Sequence, residues 1–140
     1  MALIIYWLAF LIAPMPATAA AQRPCLSYEP AAVKLAGVVG RVTFPGPPNY
    51  TSVRRGDRPE VVWVITLARP VCVEGDEVND PEAGVARVQL VFTEGAAAYR
   101  KYRGLVGRRV EVTGKLFHGH TGHHRTDVLI VVEEINRAAR

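Results

Sequence analysis

Alternation of apolar and polar positions is strongest near the end of the chain. Val110–Phe117 and Val128–Ile135 both alternate, within the stretch GRRVEVTGKLFHGHTGHHRTDVLIVVEEI from Gly107 to Ile135. Between them lies a short polar segment that holds all four histidines. Period two sends successive side chains to opposite faces, so the pattern predicts a β-hairpin with sheet-forming arms and a polar tip. Upstream, Val33–Phe44 (VKLAGVVGRVTF) reads as a long first strand, with Gly37 and Gly40 where a bulge or bend would fall. Val61–Leu67 (VVWVITL) has the near-continuous apolar character of a buried strand, and Arg69–Val73 carries it on to Cys72. Arg87–Phe92 alternates again, with Val88, Leu90 and Phe92 on one face and Arg87 and Gln89 on the other. Thr93 can cap a helix predicted to run to about Val106. On that helix Ala98, Tyr102 and Leu105 share a face, and Gly107 is placed to end it.

The predicted order is strand, strand, strand, helix, strand, strand. For a mainly β chain this is the connectivity of a small five-stranded Greek-key barrel, OB-fold-like, with one helix between strands 3 and 4. A two-layer α+β sandwich would use the same elements, but the long, glycine-bent first strand favours the barrel. The expected core is Val39 or Val38 with Trp63, Ile65, Leu90, Phe92, Val112, Leu116 and Ile130. The chain has 140 residues, enough for a single domain, placed at residues 23–137.

Residues 1–20 change the picture of where the protein works. Ala2–Ala13 is an apolar run broken by Pro14 and Pro16, and Ala17-Thr18-Ala19 offers the small-x-small pattern of a signal-peptide cleavage site. The run is shorter than the roughly 20 apolar residues that span a bilayer. Cleavage is expected near Ala19–Ala21, leaving a periplasmic or secreted chain without stable membrane insertion. In that compartment two cysteines predict one disulfide, Cys25–Cys72. If the first two strands pair antiparallel, both cysteines fall at the same end of the sheet.

The formal net charge is +4. For an exported protein this suits a protein partner or an anionic envelope component rather than nucleic acid, although for so small an excess a solvated basic surface is the simpler reading. Glu74–Gly84 is an acidic turn region, but its carboxylates lack the spacing of a calcium loop.

Several stretches also carry a family likeness: CLSYEP, the loop TFPGPPNYTSV followed by GDRPE and VVWVITL, RPVCV, RVQLVFT, YRKYRGLVGRRVEVTGKLF and TGHH. Together, from Cys25 to Ile135, they resemble the bacterial family called domain of unknown function 4431. The resemblance implies a small exported bacterial protein and brings no assigned reaction.

Two unusual loops remain as candidates for function. Pro45–Glu60 (PGPPNYTSVRRGDRPE) is rich in proline and glycine and carries Arg54, Arg55 and Arg58. His118–His124 is the histidine tip. In an OB-fold the corresponding loops flank one ligand face. The predicted binding face uses Asn49 and Tyr50 for polar and aromatic contacts, and Arg54, Arg55 and Arg58 for an anionic ligand. If the hairpin turns at Thr121-Gly122, alternation projects His118, His120 and His123 from one face and His124 from the other. Three imidazoles so arranged could hold zinc or copper with an open position. The simpler expectation is a polar tip of solvated or hydrogen-bonded histidines. No G-x-S-x-G elbow, HExxH pair or phosphate-binding glycine loop is present in the sequence. A binding module is therefore expected ahead of an enzyme, with a divalent-metal protein as the alternative.

Overall fold

Strands form where the alternating pattern places them, and they are longer than the pattern alone requires. A computed structural model describes residues 23–139; the segment expected to be a signal peptide lies outside the described residues. The elements are β1 (Leu26–Ser27), β2 (Ala32–Pro45), β3 (Pro59–Glu74), β4 (Glu82–Val91), α1 (Ala96–Lys101), β5 (Arg109–His118) and β6 (Val128–Arg137). The protein is mainly β, with one six-stranded sheet in the order β1-β3-β2-β5-β6-β4. β3 also pairs with β4, so the order returns on itself.

β2 is the strand that two others share. Its first half pairs antiparallel with β5, Leu35 opposite Val112, and its second half with β3, Val39 opposite Ile65. Gly37 sits where the two pairings overlap, opposite both Val110 and Leu67. A Cβ there would stand 2.1 Å from the Thr66 carbonyl oxygen, so only glycine lets the strands approach this closely. β5 and β6 form the expected antiparallel hairpin, and β4 runs parallel to β6 with Leu90 beside Ile130.

Alternation then sends one set of side chains into a common core. Val39, Ile65, Leu90, Val112, Leu116 and Ile130 are fully buried, and Trp63 and Phe92 nearly so. Each such aliphatic side chain contributes about 1.5–3 kcal/mol by leaving water. Val38, the alternative to Val39, points outward and is 46% exposed.

The helix is shorter than predicted. Thr93 does not cap it; Gly95 holds the N-cap position at φ 58°, and α1 begins at Ala96. It ends at Lys101, and the chain continues as a 3-10 turn, Arg103–Leu105. The predicted face is nevertheless right, since Ala98 is buried and Tyr102 and Leu105 pack against the core. Tyr99 lies edge-on to Trp63 and Phe92 at 5.4 and 5.0 Å between ring centroids, and Tyr102 stacks on Phe92 at 5.5 Å. These rings close one end of the core.

The segment before β2 supplies a sixth strand that periodicity over two residues cannot signal. Leu26 and Ser27 pair parallel with Val73 and Glu74, Tyr28 is buried, and the Glu29 N–H donates to the Leu116 carbonyl at 2.9 Å. The disulfide Cys25–Cys72 ties this segment to β3 across 47 residues. In a chain-entropy treatment, a loop of that length gives the bridge about 4 kcal/mol.

Candidate functional site

The long loop between β2 and β3 is built around one buried carboxylate. Asp57 is 3% exposed. Its Oδ1 accepts the backbone N–H of Asn49 at 2.9 Å and the Asn49 side-chain amide at 3.2 Å. Its Oδ2 accepts the N–H groups of Thr51 and Ser52, both at 2.7 Å, and the Thr51 hydroxyl at 3.2 Å. The Ser52 N–H does most to lower the Asp57 pKa from 3.8 to about 2; burial works against it, and Asn49 and Thr51 add to the lowering. The cage fixes Tyr50 at φ 58°, a left-handed conformation that a bulky residue rarely adopts. Tyr50 remains 40% exposed. Asn49, Arg54, Arg55 and Arg58 are also exposed, and none of the three arginines forms an ion pair among the described residues.

This loop touches the tip between β5 and β6. Arg125, with a side chain only 10% exposed, donates from its guanidinium to Glu60 Oε2. Its guanidinium carbon lies 5.2 Å from the Tyr50 ring centroid and 5.8 Å from that of Phe44. Such cation–π contacts contribute about 0.5–2 kcal/mol each. His123 Nδ1 stands 3.1 Å from the other Glu60 oxygen. Arg125 first, with His123 adding, holds the Glu60 carboxyl below its ordinary value against the opposing effect of burial. Gly122 lies against the Tyr50 ring, where an added Cβ would come within 3.4 Å of a ring carbon. Two loops 65 residues apart at Glu60 and Arg125 thus form one surface.

Gln89 secures the tip from below. Placed by alternation on the face opposite Val88 and Leu90, it is 7% exposed. Its Nε2 donates to the His123 carbonyl at 3.2 Å, and its Oε1 accepts the Arg125 N–H at 2.7 Å. Val64 and Leu129 are buried apart from the main core, at 2% and 0% exposure. By alternation they lie on the outer side of their strands, and a Cβ at Gly119 would stand 3.4 Å from Leu129. The tip therefore folds over the outside of the sheet and does not extend beyond it.

That folding overturns the expected three-histidine face. The ladder ends at His118 opposite Val128, and residues 119–127 form a loop instead of continuing to a two-residue turn. Alternation stops where it would have aligned the imidazoles. His118 turns to Glu82, with Nε2 3.1 Å from the carboxylate, and lies edge-on to Tyr28. His123 turns the other way, to Glu60. His120 and His124 pack on each other and on Phe117, with their ring centroids 4.7 Å apart. The His120 N–H donates to His124 Nδ1 at 3.0 Å, so that nitrogen carries no proton. Burial, then His120 and His123, lowers the His124 pKa. Among the described residues, no group of three or more His, Cys, Asp or Glu side chains is arranged to hold a metal ion.

Glu60, Gln89 and Arg125 are the site residues that sequence reading missed. Nothing local marks a pair as distant as Glu60 and Arg125, and Gln89 occupies a position where a solvent-facing residue would look the same. Asp57 had a faint signal, a short acidic side chain in a glycine-rich loop, where it can cap backbone N–H groups.

Residues 87–136 match the family model described as Domain of unknown function (DUF4431). The chain thus resembles that family from within β4 to the end of β6, a span that includes α1, the histidine tip and Arg125. The loop of residues 45–60 and both cysteines lie outside the matched span. No curated protein matches the chain.

Proposed function

We propose that this protein is an exported, periplasmic or secreted, binding module. Its scaffold is an OB-fold-like Greek-key barrel, and residues 45–60 and 118–124 present one face to a protein or anionic envelope ligand. The barrel is supported by the returning strand order, with β4 and β6 parallel and β2 and β5 antiparallel. Export is supported by the pattern of residues 1–20 and by the Cys25–Cys72 disulfide, a bond favoured outside the reducing cytosol.

The single observation that carries the binding face is the junction of its two loops. Arg125 is neutralised by Glu60 and covered by Tyr50, so it braces the surface and leaves ligand contact to the exposed groups. Tyr50 offers an aromatic face held in a costly conformation, on the order of 1–3 kcal/mol. Backbone strain of that kind is retained where surrounding contacts over-determine it, and the Asp57 cage supplies them. Arg54, Arg55 and Arg58 stand free to meet negative charge.

The test is co-sedimentation of the purified protein with isolated envelope fractions at low and high salt. Binding at low salt that is released by high salt is expected, because exposed charges are screened. Replacing Arg54, Arg55 and Arg58 together by alanine should remove it, and Tyr50→Ala should weaken it by roughly tenfold. Equal sedimentation of wild type and both folded variants would defeat the proposal.

A further inference from the structure

The turn that joins β3 to β4 is acidic, closed by its own hydrogen bonds and tipped by an apolar side chain. Val78 is 88% exposed. It is held outward because the Asp76 carboxylate accepts the N–H groups of Val78 and Asn79 at 2.9 and 2.8 Å. The Asn79 side-chain amide also donates to that carboxylate, and the Asp76 N–H donates to the Asn79 carbonyl at 3.0 Å. Glu77 and Asp80 are exposed on either side of Val78. A single exposed valine is ordinary on a protein surface; one fixed at the apex of a closed acidic turn is a preformed projection.

Beside this turn lies a surface of complementary character. A groove of about 840 Å³ runs between the segment before β1 and strands β2 and β3. Leu35, Leu67 and Pro70 supply apolar lining, and Arg23, Lys34 and Arg69 supply positive charge. Arg23 and Arg69 have no carboxylate partner among the described residues, while Lys34 shares an exposed pair with Glu111 at 3.6 Å. The groove wall ends at Cys72 and the turn begins after Glu74, so projection and groove are neighbours at the exit of β3.

We propose that this end of the molecule is a self-association surface, on which the Val78 turn of each copy seats in the basic groove of a second copy. An acidic projection meets a basic groove, and an apolar tip meets an apolar lining. With both features side by side on one chain, a two-fold axis that seats each turn in the other copy's groove would close the assembly as a dimer. The surface uses none of the residues of the loop face, which enters β3 at Pro59 while the turn leaves it at Glu74.

Sedimentation equilibrium of the full chain, as the cell delivers it, tests the proposal. A dimer that weakens as salt rises is expected, and Val78→Ser should raise its dissociation constant by roughly tenfold. Reversing the turn with Glu77→Lys and Asp80→Lys should give a monomer, as should reversing the groove with Arg23→Glu and Arg69→Glu. An equimolar mixture of these two variants should dimerise again, because each then meets its opposite. Thermal unfolding of each variant checks that it is folded. A wild type that stays monomeric at every concentration overturns the proposal. So does a dimer untouched by either reversal, or a mixture of folded variants that fails to associate.

Discussion

Asp57 does for the loop between β2 and β3 what a core side chain does for a strand: it gives separate pieces of backbone one shared partner. Its depressed pKa makes that role visible to acid. The carboxyl titrates at about 2 in the folded protein against an ordinary 3.8. The stabilisation is therefore complete above 3.8 and is lost as pH falls through about 2. Asp57→Asn should lower the melting temperature at neutral pH, and the gap to wild type should narrow on acidification across that window. A gap that stays constant with pH would mean that the charge on Asp57 is not what holds the loop. Leu90 illustrates the better-understood case. It is 1% exposed in the middle of the core, so Leu90→Ala should destabilise by about 2–5 kcal/mol in denaturant unfolding. Its burial was legible from alternation alone, whereas the burial of Gln89 was not, because alternation describes one face of a sheet and says nothing of a loop folded over the other.

At the scale of elements, the histidine tip marks the same boundary. The strand pattern predicted both arms of the hairpin and stopped being informative at His118, where the ladder ends. Beyond it the course of the chain is set by Gln89, Glu60 and Tyr50, all far away in sequence. Gln89→Leu should leave the His123 carbonyl and the Arg125 N–H without their partners and destabilise by about 1–3 kcal/mol. Hydrogen exchange should rise first at residues 119–126, ahead of the core strands; uniform loss of protection would show that Gln89 serves the whole fold rather than the tip. The helix shows a milder version. Its inward face was readable from the spacing of Ala98, Tyr102 and Leu105, but its length was not, because Gly95 and the 3-10 turn set its ends.

For the whole molecule, the disulfide is the one long-range constraint that the sequence announced, through two cysteines and nothing else to pair them. Cys72→Ala should cost about 2–5 kcal/mol and release β1 from β3, measured by denaturant unfolding with and without reductant. Stability unchanged by the substitution would show that the strand pairing of Leu26 and Ser27 suffices. A different consequence follows from the strand order. Each of the five long strands has hydrogen-bonded neighbours on both sides along part of its length, and the short β1 is the exposed flank of the order. The registers nevertheless leave residues 40–45 of β2, 82–88 of β4 and 132–137 of β6 paired on one side, and these are edges on which an incoming peptide could lie as an added strand. Such edges are short and scattered over separate strands, so a neighbouring chain could add only a brief strand at any one of them, and a growing fibril would find no long continuous edge to extend.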